Sequence, residues 1–177
     1  MIGGQEIAKQ IELGNITTTP YCKEQIGPNS YDLRLGNKIA EVMPNVGIAY
    51  IDTHLQGNVK EIKQNEDGSF TLFPNCYYLG FTLETVGSKY YVPILHGRST
   101  AARHGLMVHA SAGFGDINWF GQFVLELKNL TSVPMKIWPG DRICQVSWEH
   151  CLVDEEYQYK STYQGQSGIV AAKGLGD

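Results

Sequence analysis

An all-β domain, built as a sandwich or a barrel, is the fold this sequence predicts, on three observations. Apolar and polar residues alternate in many short runs, which is the pattern of half-buried strands. Turn signals separate those runs, among them Asp67-Gly68 and Pro139-Gly140. Twenty glycines and scattered prolines punctuate a chain that is 42% hydrophobic and 18% charged. A length of 177 residues fits one domain, 1–177, with a core of its own.

The elements follow in chain order. Ile7 and Ile11 are four apart and Gly14 is a stop signal, so one short helix opens the chain. NSYDLRLGNKIAEVM, 29–43, alternates and then meets Pro44, which predicts one or two strands. NEDGSFTLF, 65–73, is a turn leading into a strand, and 76–83 is again strand-like. Residues 90–95 form a short strand feeding HGRSTAARHGL, 96–106. Within that run, STAAR has small side chains and helix formers, which predicts one or two helical turns. Val108–Ala112 is a short apolar piece, and FGQFVLELKNL, 120–130, reads as a long strand. Val133–Ile137 and Ile143–Trp148 complete the set. Residues 152–177 are polar, glycine-bearing and weakly periodic, so a mobile tail is expected, ordering only against something else.

Several function classes drop out. A net charge of −4 lacks the basic balance of a general nucleic-acid binder. No stretch approaches the length of a membrane span. The four cysteines, Cys22, Cys76, Cys144 and Cys151, make no CxxC pair, and free thiols in a cytoplasmic setting are expected. No His is followed two residues later by Glu, so the zinc-deaminase pattern is missing, as are HExxH, the phosphate-binding GxxxxGK loop and the dinucleotide GxGxxG turn. A protein-held metal is therefore not expected.

One residue stands out. Phe123, Leu125 and Leu127 share one face of the long strand, and Val124, Glu126 and Lys128 share the other. Glu is depleted in strands, and a buried carboxylate needs a partner or a task. Other polar residues sit in an otherwise apolar centre: Arg98, Ser99 and Arg103 in the helical turn, Asp116 in a glycine-rich bend, Asp32 in an early strand and Gln145 in a late one. Singly, each has a plain explanation. The arginines can be surface charges, Ser99 a cap and Asp116 a turn residue, and Glu126 can face solvent beside Lys128. The set as a whole asks for more.

These residues fall in motifs that resemble the dCTP deaminase branch of the trimeric dUTPase superfamily. NSYDLRLG (29–36), GRSTAARHGL (97–106), HASAGFGDINWFGQFVLELKN (109–129), PGDRICQVSW (139–148) and YQGQSG (163–168) match its motifs in order. The resemblance implies a distorted β-barrel or jelly roll with one or two short helices. It also implies a homotrimer with active sites between subunits and a tail that closes over bound nucleotide. It assigns proton handling to Glu126, and water positioning and base polarisation to Ser99 and Arg103. Arg98 and Gln145 are implied phosphate binders, and Trp119 packs on the sugar or base. Thr100, Ala112, Tyr163 and Gln166 complete the implied nucleotide contacts. Gly113-Phe114 after Ala112 is like the members that both deaminate and release dUMP, and there Asp116 activates the water that attacks phosphorus.

The resemblance thus implies hydrolytic deamination of dCTP without zinc, continuing to dUMP and diphosphate. Mg²⁺ is carried on the nucleotide phosphates, and dTTP is implied as a feedback inhibitor. Alternatives are a deaminase acting on dCTP or dCMP alone, a dUTPase that does not deaminate, and a non-catalytic nucleotide-sensing trimer. The sequence departs from the family pattern in places. Ile117-Asn118 replaces the usual Pro-Gly after the Asp, Gly115 replaces an Ile, His96 replaces an acid, and Thr162 replaces a tail lysine.

Overall fold

The computed structural model describes residues 1–152, 159–160 and 162–175. Helix α1, Gly4–Glu12, is followed by strand β1, Ile16–Thr19, and a 3-10 turn, Lys23–Gln25. Then come β2 (Tyr31–Arg34), β3 (Ala40–Met43), β4 (Asn58–Glu61), β5 (Phe70–Leu72), β6 (Tyr78–Ser88) and β7 (Tyr91–Gly97). Helix α2, Ser99–Arg103, precedes β8 (Leu106–Met107), β9 (Phe120–Asn129), β10 (Met135–Ile137) and β11 (Arg142–His150). The all-β expectation with short helices holds, although β1 and β4 were not foreseen. The short apolar piece Val108–Ala112 is loop.

All strand pairs are antiparallel. One sheet runs β4, β3, β6, β9, β8, with β1 also paired to β6. A three-stranded sheet runs β2, β11, β7, and β10 pairs with β5. One buried cluster joins them, including Tyr31 and Leu33 of β2, Leu125 and Leu127 of β9, and Val146 and Trp148 of β11. Alternation explains the arrangement: in β9, Phe123, Leu125 and Leu127 are buried, while Val124, Glu126 and Lys128 are half-buried on the opposite face.

A second strand carboxylate sits deeper than Glu126. Glu84 of β6 is fully buried, beside the register shift between Phe81 and Thr85. It accepts hydrogen bonds from the Arg34 amide at 2.8 Å, Arg34 Nε at 2.6 Å and Gln25 Nε2 at 3.0 Å. That bond to Glu84 raises the Arg34 pKa above its ordinary value. The pair ties β2 to β6 and is structural, since both oxygens of the buried acid accept hydrogen bonds from the protein.

The end of α1 offers a simple test of backbone chemistry. Gly14 has φ +69°, and a Cβ there would meet no atom within 4 Å. Replacing it with Ala therefore isolates the left-handed backbone cost, and Gly14→Ala is expected to lower stability by about 1–2 kcal/mol. Urea titration of both proteins measures this directly.

Candidate active site

Glu126 lies on a sheet face that forms the floor of a cavity of about 510 Å³. That size suits a small-molecule ligand. The register builds the floor: Leu79 of β6 stands opposite Glu126, and Val42 of β3 opposite Val59 of β4. Tyr77 and Val124 complete it. A side wall comes from Ala112, Phe114, Gly115, Asp116 and Trp119, Gly57 and Phe123 add to the lining, and the tail contributes Tyr159, Tyr163, Gln166, Val170 and Ala172.

The carboxylate is held by its own chain. Glu126 Oε2 accepts hydrogen bonds from the backbone N–H of Ala110 at 2.6 Å and of Ser111 at 3.2 Å. The loop can reach it because the Glu126 amide donates to Val108 O at 3.0 Å, after which the chain leaves the sheet edge and turns back. Charge-assisted bonds of this kind fix the acid's position without using a cationic side chain. Tyr77 is a cavity residue the sequence reading missed. Burial first, and then the charge of Glu126, push its phenol up to about 12.

The Asp116 bend is built without its usual glycine. Asn118 takes φ +62°, and the Trp119 amide donates to Asp116 O at 3.2 Å to close the turn. Asn is among the residues that tolerate this backbone region best. Gly115 is explained by proximity: its amide donates to Pro93 O at 2.8 Å, and a Cβ would lie 2.8 Å from Pro93 Cγ. Asp116 itself is exposed on the cavity wall. Trp119 is buried, its ring 4.7 Å from that of Phe123, and its indole N–H donates to Tyr163 O at 3.0 Å.

The other expected site residues lie elsewhere on the chain. Arg98 caps the start of α2 and pairs with Asp32 at 3.0 Å, while its Nη1 donates to Arg142 O at 2.8 Å. Burial raises the Asp32 pKa, despite the opposing charges of Arg98 and Arg142. Gln145 accepts from Ser30 Oγ at 2.7 Å and donates to Gly97 O at 3.0 Å. Arg98 and Thr100 border a second cavity of about 630 Å³, together with His104, Lys136, Trp138 and Arg142. Ser99 and Arg103 are exposed on α2 and line neither cavity. Their helix joins β8, whose Leu106 pairs with Asn129, three residues and about 10 Å along β9 from Glu126.

One chain thus carries two separated half-sets. Glu126, Asp116, Ala112, Trp119, Tyr163 and Gln166 share the first cavity. The cationic set around Arg98 flanks the second, beside the exposed apolar side chains of Val133 and Trp138. Among the described residues, no three His, Cys, Asp or Glu side chains gather as a metal site. No helix among them is long and apolar enough to cross a membrane.

The chain is similar to four known points of reference: one family, two curated relatives and one solved structure. The family described as dCTP deaminase-like matches residues 1–151. A "dCTP deaminase, dUMP-forming" of Clostridium beijerinckii is 36% identical over 169 residues, which is 96% of this chain and 93% of that protein. One of Dictyoglomus thermophilum is 37% identical over 183 residues, 98% of this chain and 94% of that protein. A crystal structure of 2'-deoxycytidine 5'-triphosphate deaminase from Agrobacterium tumefaciens shares the fold, with a TM-score of 0.63 and 17% identity. That match covers 88% of this chain and 48% of the Agrobacterium chain.

Proposed function

Because this chain belongs to the dCTP deaminase-like family, we propose that it deaminates dCTP and then releases diphosphate, leaving dUMP. The observation that carries this reading is the pairing of two carboxylates on one cavity: Glu126 on the rigid sheet floor and Asp116 on the bend beside it. Relatives named for dUMP formation, over nearly the whole chain, support the second step.

In this reading Glu126 carries protons. Water adds to C4 of the cytosine, its proton passing to the carboxylate and then to N3. Glu126 then moves the proton of the new C4 hydroxyl to the amine, and the C–N bond breaks as C4=O forms and ammonia leaves. A single carboxylate that accepts and returns a proton serves each stage. The Ala110 and Ser111 amides hold Oε2, and Oε1 carries the proton traffic. A strand-borne acid keeps its aim better than one on a loop. Asp116 then activates the water that attacks phosphorus, breaking the bond to diphosphate.

Ser99 and Arg103 position the water and polarise the base, with Arg98, Thr100 and Gln145 on the phosphates. In one chain they stand apart from Glu126, so they come from a neighbouring copy in a homotrimer. The second cavity, with its arginines and exposed Val133 and Trp138, suits that seam. Trp119, Ala112, Tyr163 and Gln166 border the nucleotide from the Glu126 side. Mg²⁺ travels on the phosphates and takes no cage from the chain; when bound it neutralises phosphate charge. We further propose a cytoplasmic enzyme of one domain, 1–177, whose tail from 152 closes over the site, with dTTP as feedback inhibitor and dCMP as an alternative substrate.

Mixed trimers test the seam. Glu126→Gln and Arg103→Ala are each expected to be inactive alone. Co-assembled, about one quarter of sites unite a native Glu126 with a native Arg103 from the neighbouring chain, and deamination returns to that order. Failure to recover any activity from verified mixed trimers places both residues in one chain's site and contradicts the arrangement.

A further inference from the structure

We propose that Gln122 latches the C-terminal segment and that the Thr53–Gly57 loop holds its far end, so that each chain shuts its own cavity with its own tail. The kinetic consequence rests on the function proposed above; the latch itself does not.

Gln122 sits on β9 outside the cavity lining, yet almost all its hydrogen bonds go to the tail. Its amide donates to Gln166 O at 2.9 Å, and its carbonyl accepts from Gln166 Nε2 at 2.9 Å. Its side-chain Oε1 accepts from Ser167 Oγ at 3.0 Å and the Gly168 amide at 2.7 Å. Its Nε2 donates to Leu83 O at 3.1 Å, which fixes the carboxamide so that Oε1 serves the tail. Around it, the Gly165 amide donates to Phe120 O at 2.7 Å and the Phe120 amide to Gln164 Oε1 at 2.9 Å. The segment 164–168 is thus stitched to the start of β9 like an added strand, at the end that β8 leaves free.

The second hold lies across the cavity. The Gly57 amide donates to Ala172 O at 2.8 Å, and the Leu175 amide to Thr53 O at 2.7 Å. Between the two holds, Val170 and Ala172 line the cavity. The holds are mostly hydrogen bonds at solvent-facing positions, since Gln164, Gly165, Ser167 and Ala172 are exposed. Segments tied in this way belong to the low-stability end of a structure and open locally. Only the shut form presents Tyr163, Gln166 and Val170 to a ligand. Loosening a hold therefore lowers apparent affinity in proportion to the fraction shut, while saturating nucleotide draws the tail closed again.

Two variants test this, each on a different hold. Gln122→Leu removes the side-chain bonds and keeps the strand. Gly57→Val targets the far end, because a Cβ there lies 3.2 Å from Ala172 N and 3.3 Å from its O; Gly57 also lines the cavity, so this variant is read by exchange alone. Hydrogen exchange of the nucleotide-free proteins is expected to speed up at least about tenfold over 162–175, with Leu125 and Leu127 in β9 unchanged. With dCTP, the KM of Gln122→Leu is expected to rise about five- to tenfold while kcat stays within about twofold. Unchanged tail exchange in both variants overturns the latch. Faster exchange with an unmoved KM overturns its link to nucleotide binding. If the wild-type protein turns over no pyrimidine nucleotide, the proposed function fails, and exchange alone still decides the latch.

Discussion

Glu126→Gln is expected to abolish deamination of dCTP, with a loss of about 10²–10⁴-fold, while the protein folds as before. Gln keeps the size of the side chain and an oxygen that can accept from the Ala110 and Ser111 amides, so the loop has no reason to leave. What it lacks is a proton it can take up and return. Hydrolysis of dUTP is expected to survive in this variant, because that step draws on Asp116. Ammonia release and dUMP formation, followed separately with dCTP and with dUTP, read both halves. Near-native ammonia release from dCTP in a folded Glu126→Gln protein removes the residue from the mechanism.

The converse result is expected from Asp116→Asn. Asp116 closes its turn through its backbone carbonyl, which accepts from the Trp119 amide, so the Asn side chain leaves the bend intact. The carboxylate that would activate water is lost, and dUMP formation is expected to fall by at least about 10²-fold. Deamination, which rests on Glu126, continues, so dUTP accumulates from dCTP where the native enzyme leaves little. A variant that stops both steps equally points to a shared role in binding, and one that stops neither removes Asp116 from the chemistry.

Strong periodicity was legible in the sequence, and pairing was not. Helix α1 followed from Ile7, Ile11 and Gly14, and β9 ends within one residue of the expected boundary. Strand β1, ITTT, shows little apolar alternation and exists because Thr17–Thr19 pair with β6 beyond its register shift. Strand β4 carries a single apolar residue, Val59, and is organised by β3 on one side. Val108–Ala112 reads as no more than a short apolar piece, and the sequence does not show that past Val108 the chain turns away to bring two amides onto Glu126.

The site shows the same division. A strand acid needs a partner or a task, but that argument applies as well to Glu84, which the sequence reading passed over. Their surroundings separate them: Glu84 meets the Arg34 guanidinium and lines neither cavity described above, whereas Glu126 meets backbone amides and lines the first. Asp116, Trp119, Tyr163 and Gln166 join Glu126 as the motif order suggested. The distance between Glu126 and the α2 residues is set by β8 and β9 pairing, which no local pattern encodes. Gln122 was equally hidden, since its role depends on a tail more than 40 residues away in sequence.

Product analysis bears most directly on the central claim, that two carboxylates on one cavity carry out two successive reactions. Purified protein with Mg²⁺ is given dCTP, and dCTP, dUTP, dUMP, ammonia and diphosphate are followed together. The account predicts dUMP, ammonia and diphosphate in equal amounts with little free dUTP at any time. Intact dCTP, or dUTP as the final product, contradicts it.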